Sequence, residues 1–129
     1  MRSVIAGFVV SIALVTTASA QTVPAPSVWI NQRTSELDIA SVDAAGVITG
    51  KFTNNAAGFK CQGTPIDIVG HTSKDGLFFG VTFAACNSIV LWNGRISGNT
   101  MTTSWVLSVL DPENVVIESE SDVDTFTKQ

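Results

Sequence analysis

The stretch that decides the fold is residues 76–110, which read GLFFGVTFAACNSIVLWNGRISGNTMTTSWVLSVL. Three largely apolar runs lie within it, at Leu77–Ala84, Ile89–Ser97 and Met101–Leu110. Turn-forming residues separate the runs, most plainly Ser97–Gly98–Asn99. Apolar residues that recur every second position are typical of strands with one buried face. The stretch therefore predicts three consecutive β-strands with short connections.

The rest of the chain after residue 27 has the same organisation. Turn residues stand at 43–46 and 73–76, and no window shows an apolar stripe at the helical period. The other predicted strands are Val28–Gln32, Glu36–Val42, Val47–Asn54, Pro65–Thr72 and a last one from Val115 or later to Thr127. Eight short, evenly spaced strands predict an all-β fold, either an antiparallel up-and-down barrel or a sandwich. Barrel closure would remove exposed strand edges and leave room for one small ligand.

The first 20 residues have the composition of a secretory signal peptide. Arg2 gives a positive start, residues 4–15 form an apolar run, and Ala18–Ser19–Ala20 has the small-residue pattern that signal peptidase cleaves. We expect cleavage near Ala20–Gln21 and a secreted or periplasmic protein, with a flexible leader at 21–27 and one domain at 28–129. The apolar run is shorter than the roughly 20 residues of a membrane span, and no other stretch predicts one.

Charge and motif content exclude several classes of function. The chain has 11 acidic against 7 basic residues and a net charge of −4, which argues against binding to nucleic-acid phosphates. The single histidine, His71, has no adjacent serine or cysteine nucleophile, and neither a metal cluster nor a phosphate-binding glycine loop is present in the sequence. The sequence therefore predicts neither an enzyme nor a metal site.

The two cysteines, Cys61 and Cys86, both follow the predicted cleavage site. An exported domain with an even number of cysteines usually pairs them, so we expect one disulfide. The closed loop of about 26 residues would stabilise the fold by roughly 3 kcal/mol in the chain-entropy account. Two free buried thiols are the alternative. A zinc site would need four ligands, and His71 is distant in sequence.

Aromatic and polar residues share faces of the predicted strands at a spacing of two. These sets are Trp29 with Asn31, Phe52 with Asn54, Ser88 with Val90 and Trp92, and Trp105 with Leu107 and Val109. Three tryptophans on separate strands suggest an interior lined for a ligand. Periodicity alone favours the simpler interpretation, in which these side chains only fill the core.

Five motifs that follow one another along the chain favour the ligand-lined interior over a core that is only filled. They are Trp-x-Asn-Gln-x-x-Ser (29–35), Gly-x-x-Thr-Gly-x-Phe-x-Asn (46–54), Ser-x-x-x-Trp-x-Gly (88–94), Ser-Trp-x-Leu (104–107) and Asp-Thr-Phe-Thr-Lys (124–128). The chain from Val28 to Lys128 thereby resembles the avidin and streptavidin family, most closely its dimeric rhizavidin-type members. The resemblance implies an eight-stranded up-and-down barrel. It also implies a Cys61–Cys86 disulfide between the loop after the third strand and the loop after the fifth.

The resemblance implies a site for biotin, with no separate cofactor. Asn31 and Ser35 match the donors to the urea oxygen, while Asp124 and Asn54 match the acceptors of the two urea N–H groups. Trp92, Trp105 and Leu107 match the walls around the bicyclic ring, and Ser88 matches a donor to the valerate carboxylate. By itself Asp124 belongs to an acidic series of period two, which is typical of a solvated strand face.

Departures from the family pattern bear on affinity and assembly. Phe52 stands where the family usually has a tyrosine donor to the urea oxygen, Phe83 replaces a ring-stacking tryptophan, and Val90 replaces a threonine near the sulfur. We therefore expect biotin binding that is weaker than in the strongest family members. Val116 replaces a tryptophan that reaches into a neighbouring subunit in tetrameric relatives, which favours a homodimer. The sequence provides no explanation for Arg33.

Two other functions remain open at this point. One is an avidin-like barrel whose ligand has drifted away from biotin, which Phe52, Phe83 and Val90 would accommodate. The other is an exported β-barrel protease inhibitor, although residues 21–27 form only a generic arm and that function leaves Asn31, Ser35, Asn54 and Asp124 unexplained. Titration with biotin separates these alternatives.

Overall fold

The fold is built almost entirely of antiparallel β-strands. The computed structural model describes residues 13–14 and 23–129. The strands are β1 (Ser27–Asn31), β2 (Glu36–Val42), β3 (Val47–Thr53), β4 (Pro65–Asp67), β5 (Val69–Ser73), β6 (Gly76–Phe83), β7 (Ser88–Ser97), β8 (Thr100–Leu110) and β9 (Val116–Lys128). One short 3-10 helix, Ala84–Cys86, connects β6 to β7.

The strands close into a barrel. Strands β4 and β5 both pair with β3 and are separated by Ile68 alone, so they form one barrel strand with an interruption. Each of the resulting eight strands pairs with its neighbours along the chain, and β9 pairs with β1 to complete the ring. The eight-stranded up-and-down barrel predicted from the sequence is confirmed, and the sandwich is excluded because closure leaves a single continuous sheet.

The barrel interior is filled by the alternating residues of each strand. In β6, four apolar side chains at a spacing of two are buried, whereas Phe78 between them is exposed. Phe79 stacks parallel to Trp92 with 4.8 Å between ring centroids, and Phe126 packs edge-on against Phe79. The largest fully buried apolar side chains are Trp29, Phe52, Phe79, Phe83, Phe126, Leu37, Ile39, Ile48 and Met101. These side chains fill much of the barrel interior.

The prediction of a flexible leader at 21–27 is corrected for residues 23–27, which the structure describes. Val23 is buried in the core cluster, and Ser27 is the first residue of β1. Ser27 is held by two bonds, since its hydroxyl donates to the Pro24 carbonyl and accepts from the Trp29 indole N–H. The apolar side chain of Val23 packs beside the β2–β3 turn and covers that end of the barrel. The predicted signal peptide, residues 1–20, lies outside the described residues except for Ala13 and Leu14.

A disulfide joins Cys61 to Cys86, as the sequence predicted. It ties the loop between β3 and β4 to the 3-10 turn between β6 and β7. Both connections lie at the barrel end opposite the β2–β3 turn, so the bond restrains the loops around one opening. Among residues 13–14 and 23–129, no helix has the length and apolar character needed to cross a membrane.

Gly94 permits the close approach of β7 to β8. A Cβ atom placed on Gly94 would lie 2.1 Å from the carbonyl oxygen of Thr102 and 2.8 Å from the Cα atom of Thr103. Because both atoms belong to backbone, the strands would have to separate. We expect Gly94→Ala to lower the free energy of unfolding by about 2–3 kcal/mol, as an overpacked core substitution does.

Denaturant unfolding of the Gly94→Ala variant, followed by tryptophan fluorescence, checks this expectation. Gly76→Ala is the matched control, because a Cβ atom at Gly76 would make only ordinary contacts, the nearest at 3.5 Å. The control should change the unfolding free energy by less than about 0.5 kcal/mol. Equal effects of the two substitutions would contradict the steric account.

Candidate functional site

A pocket of about 250 Å³ occupies the barrel end at which the disulfide-linked loops lie. Its lining combines polar residues of the β1–β2 turn and β9 with aromatic residues of β3, β7 and β8. The lining residues are Asn31, Arg33, Ser35, Phe52, Asn54, Ala56, Ala57, Gly58, Phe59, Val90, Trp92, Trp105, Leu107, Glu120 and Asp124. Nine of the eleven residues predicted for the ligand site are among them. The structure therefore brings together side chains from widely separated parts of the chain.

The carboxylate of Asp124 is the polar centre of the pocket. Its side chain is only 3% exposed, and each oxygen accepts two hydrogen bonds. Oδ2 accepts from Asn31 Nδ2 at 3.1 Å and from Trp92 Nε1 at 3.0 Å. Oδ1 accepts from Gln32 Nε2 at 3.0 Å and from Arg33 Nε at 2.9 Å. Four donors offset the cost of burying a carboxylate and fix its orientation.

The register of β9 explains why Asp124 alone is buried in its acidic series. Asp124 and Phe126 point inward, and the Asp124 carbonyl accepts a bond from the hydroxyl of Thr103 on β8. Glu118, Glu120 and Asp122 share the same strand face, but this part of β9 extends beyond the packed core and all three are exposed. The acidic pattern predicts a solvated strand face, and this prediction is correct for these three residues. It does not hold for Asp124, which is buried.

The β1–β2 turn presents Asn31 and Ser35 to the pocket. The Asn31 Oδ1 atom accepts bonds from the backbone N–H groups of Arg33 and Ser35, so its Nδ2 atom faces Asp124 and the pocket. Ser35 Oγ accepts a bond from the backbone N–H of Asn55 at 2.9 Å. A hydroxyl that accepts in this way keeps its own hydrogen for donation. Both side chains can therefore donate to an acceptor in the pocket.

Asn54 lies at the start of the β3–β4 loop, on the pocket rim. Its Oδ1 atom accepts a bond from the backbone N–H of Ala56 at 2.9 Å, which is the usual local turn of an asparagine. A carbonyl oxygen has two acceptor positions, so one remains for a donor in the pocket. The polar rim thus offers both donors and acceptors.

Aromatic and aliphatic side chains form the walls. Trp92 and Trp105 are cross-strand partners on β7 and β8, and Val90 pairs with Leu107 in the same way. Phe52 contacts Trp92 with 4.5 Å between ring centroids and carries the wall onto β3. The walls of the pocket are therefore largely aromatic and aliphatic, and its polar groups come from the β1–β2 turn, Asn54 and β9.

Two predicted residues lie outside the pocket lining. Phe83 is fully buried and packs edge-on against Phe59, a lining residue, with 5.1 Å between ring centroids. Ser88 is buried between its cross-strand partners Phe83 and Val109. Its Oγ atom and the Nε1 atom of Trp105 are buried without a hydrogen-bond partner in the part of the chain that the structure describes. Unpaired buried donors of this kind require an explanation.

Sequence reasoning missed six lining residues, of which Arg33, Phe59 and Glu120 have large side chains. Arg33 reaches Asp122 Oδ2 at 2.9 Å as well as Asp124, and its guanidinium carbon lies 5.5 Å from the centre of the Trp105 ring. The one sequence signal for Arg33 was its positive charge within the otherwise uncharged motif at residues 29–35. Phe59 lies in an irregular loop, where strand periodicity gives no information. Glu120 could be read only as part of the acidic series.

Ion pairing affects the charged groups at this site. The hydrogen bond to Asp124 raises the pKa of Arg33 above its ordinary value, against the opposing effect of burial. The pKa of Asp122 is lowered, first by the backbone N–H of Val123 and then by Arg33. Arg33 is therefore charged, and its Asp122 partner is ionised, over the neutral pH range.

No group of three or more His, Cys, Asp or Glu side chains is placed to hold a metal ion among residues 13–14 and 23–129. His71 belongs to β5 and is not among the pocket-lining residues; its side chain reaches the β2–β3 turn, where the Nε2 atom is 2.7 Å from the Ala45 carbonyl oxygen. Its position agrees with the expectation of a residue near a barrel end.

A closed barrel with a mixed polar and aromatic pocket at one opening defines a small-molecule-binding β-barrel protein. The family model described as the avidin family matches residues 19–129. The chain belongs to the avidin family.

Individual relatives agree with this membership. The chain is similar to afifavidin of Afifella pfennigii, with 37% identity over 119 residues that cover 85% of this chain and 73% of afifavidin. It also resembles the solved bradavidin2–biotin complex, with 47% identity, a TM-score of 0.76 and coverage of 83% of this chain and 99% of the other. The rhizavidin–biotin complex matches with 30% identity, a TM-score of 0.72 and coverage of 82% and 92%. The resemblance noted in the sequence is confirmed.

Proposed function

We propose that this protein binds biotin in the barrel pocket. The observation that carries the proposal is the buried Asp124 carboxylate, which shares an aromatic-walled pocket with amide and hydroxyl donors. Membership of the avidin family and the likeness to two barrels solved with biotin support the same ligand. They also support a binding protein rather than an enzyme, with biotin as the ligand and no further cofactor.

The urea group of biotin matches the polar end of the pocket. Its carbonyl oxygen would accept from Asn31 Nδ2 and from the Ser35 hydroxyl. One urea N–H would donate to Asp124, in place of one of the four donors that the carboxylate now has, and the other would donate to Asn54. A carboxylate behind one N–H strengthens the bonds at the carbonyl, because each bond polarises the next. A urea group left unpaired in this site would cost about 1–3 kcal/mol.

The apolar part of the ligand matches the walls. Trp92, Trp105 and Leu107 would enclose the bicyclic ring, with Phe52 and Val90 beside it. The buried Ser88 hydroxyl, which has no partner within the described part of the chain, is the proposed donor to the valerate carboxylate. We assign Phe83 a supporting role behind Phe59, on the basis of their edge-on contact.

We expect biotin to bind less tightly than in the strongest family members. Phe52 has no hydroxyl to donate to the urea oxygen, Phe83 offers less aromatic surface than a tryptophan, and Val90 has no hydroxyl for the sulfur. The missing donor at Phe52 alone corresponds to about 1–3 kcal/mol, or roughly tenfold to a hundredfold in affinity. A drifted ligand would fit the same departures, and titration with biotin decides between the two.

Calorimetric titration of the oxidised protein tests the ligand and the site together. We expect one biotin per chain with a favourable enthalpy. Asp124→Ala should weaken binding by about a hundredfold and Asn31→Ala by at least about tenfold, because each removes a buried hydrogen bond to the urea. His71→Ala, at the other end of the barrel, is the control and should change affinity by less than about twofold.

The same titration can give results that contradict the proposal. Absence of heat at micromolar protein would favour a drifted ligand or the protease-inhibitor function. Equal effects of the three substitutions would show that the pocket residues are assigned wrongly.

Restoring the missing hydroxyl tests the affinity argument. Phe52→Tyr should tighten biotin binding by about tenfold, because Phe52 lines the pocket and its ring could present a donor to the urea oxygen. Competition against a fluorescent biotin derivative measures the change. Phe78→Tyr, which adds a hydroxyl at an exposed site outside the pocket, should leave affinity unchanged. Unaltered binding in Phe52→Tyr would contradict this account of the weaker affinity.

We propose that the protein forms a homodimer through the outward side chains of β5–β9. Val69, Leu91 and Val106 lie in one cross-strand row, because Leu91 faces Gly80 on one side and Val106 on the other. Phe78 and Val123 flank the row, and all five side chains are between 45% and 76% exposed. We call these five residues the outer apolar face. Exposed apolar surface of this kind is typical of an interface, and the resemblance to rhizavidin-type avidins implies a dimer.

Sedimentation velocity at micromolar concentration tests the dimer. The wild-type protein should sediment at twice the mass of the chain, and Leu91→Glu combined with Val106→Glu should give the monomer, because each carboxylate would be buried unpaired. Val47→Glu introduces the same charge at an exposed site outside the outer apolar face and should leave the dimer intact. A monomeric wild-type protein would overturn this assembly.

We also propose that the protein is exported, with cleavage near Ala20–Gln21. The charged start, apolar run and small residues of positions 1–20 support this, and so does the disulfide, because such bonds persist in oxidising compartments. Sequencing the N-terminus of the exported protein locates the cleavage position.

A further inference from the structure

Glu120 is a charged residue of the pocket lining to which the biotin assignments above give no role. Cross-strand pairing places it in one row with Leu107 and Val90, which also line the pocket. Asp124 lies four residues further along β9, so the levels of the two carboxylates are about 13 Å apart in an extended strand. Because β9 runs from the pocket opening toward the polar end, Glu120 stands on the part of the wall nearer the opening.

The valerate chain of biotin would end close to the level of Glu120. In the proposed pose the urea group lies at Asp124 and the bicyclic ring beside Trp105. The five-carbon chain then extends about 6 Å toward the opening, since each C–C bond is roughly 1.5 Å long. Two residues of a strand span about the same length. The end of the tail therefore reaches the row of Glu120 or the next row, which contains Ser88, the proposed donor to the tail.

The carboxylate of Glu120 has no cation beside it. Arg33 is the one basic residue in the described lining of the pocket, and it is bonded to Asp122 and Asp124. Neither of the other two ion pairs found in residues 13–14 and 23–129 includes Glu120. Glu118, two residues nearer the opening, adds a second exposed carboxylate on the same face of β9. The end of the ligand tail would therefore lie in a region of negative charge.

We propose that Glu120 is a specificity-determining residue, which shifts the preference of the pocket away from a ligand tail that ends in a carboxylate and toward an amide-linked tail that carries an ammonium group. This inference rests on the proposed function. A carboxylate at the level of Glu120 is repelled, and an ammonium group there is attracted. The Ser88 hydroxyl can donate to an amide oxygen as well as to a carboxylate, so the amide linkage keeps that hydrogen bond. Glu120 is exposed, so water screens its charge and the effect is moderate.

Three ligands with the same ring and different tail charges make the test. They are biotin, which ends in a carboxylate, biotinamide, which is neutral, and the amide of biotin with ethylenediamine, which carries an ammonium group. Competition against a fluorescent biotin derivative gives the dissociation constant of each ligand. The measured quantity is the ratio of the dissociation constant of biotin to that of the ammonium ligand.

Glu120→Gln removes the charge and keeps the size of the side chain. We expect it to lower the ratio by about threefold to tenfold at low ionic strength, because the repulsion of one tail and the attraction of the other are both lost. Biotinamide should change least of the three ligands. Glu120→Asp keeps the charge and should stay within about twofold of the wild-type ratio.

Asp38→Asn is the matched control. Asp38 is an exposed carboxylate on β2, between the buried Leu37 and Ile39, and is not among the pocket-lining residues. The substitution changes the net charge of the protein by the same amount as Glu120→Gln, but it should leave the ratio unchanged. An equal fall of the ratio in both variants would show that net charge, and not Glu120, sets the preference, which would overturn the inference.

The remaining outcomes are equally decisive. A purely structural role for Glu120 would change the affinity for all three ligands by the same factor, so an unchanged ratio in Glu120→Gln would overturn the inference. In the wild-type protein the ratio should fall as salt rises from about 0.01 M to about 1 M, because the screening length shortens from about 30 Å to about 3 Å. A ratio independent of salt would overturn the inference even if the variants fail to fold. Failure of the wild-type protein to bind any of the three ligands would instead contradict the proposed function.

Discussion

The pairing of β9 with β1 is the interaction on which the rest of the structure depends. Asn31 lies opposite Phe126 in this pairing, and Trp29, two residues earlier on β1, is fully buried in the core. Asn31 and Asp124 are 93 positions apart in the chain and meet only because the last strand returns to the first. The same closure removes the sheet edges that would otherwise be exposed. The pairing of β9 with β1 therefore both closes the barrel and assembles the polar end of the pocket.

Much of this could be predicted from the sequence because strand alternation is a local property. The runs at Leu77–Ala84 and Met101–Leu110 have a strong period of two, and their strands agree with the structure to within one or two residues. The first strand begins and ends one residue earlier than predicted, since the Thr34 N–H donates to the Asn31 carbonyl and Gln32 already belongs to the turn. Motif order then indicated which polar residues would converge.

What could not be predicted depends on contacts between distant parts of the chain. Arg33 is one residue in a turn, and only the three-dimensional arrangement brings its guanidinium to Asp122, Asp124 and Trp105. Phe59 lies in a loop without periodicity, and there it lines the pocket and packs edge-on against Phe83 of β6. Val23 follows a leader-like composition yet is buried, because an open barrel end offers apolar surface to cover. Composition describes a segment, but its burial depends on what the fold places beside it.

The bond between Cys61 and Cys86 has a thermodynamic consequence for whatever enters the barrel. A covalent crosslink limits the conformations of residues 54–64 before any guest arrives, so less motional freedom is lost when the complex forms. In an oxidising compartment the entrance is thus preorganised, and association carries a smaller entropic penalty. Under reducing conditions the same loop would have to be ordered by the guest itself, which links the redox state of the surroundings to the strength of capture.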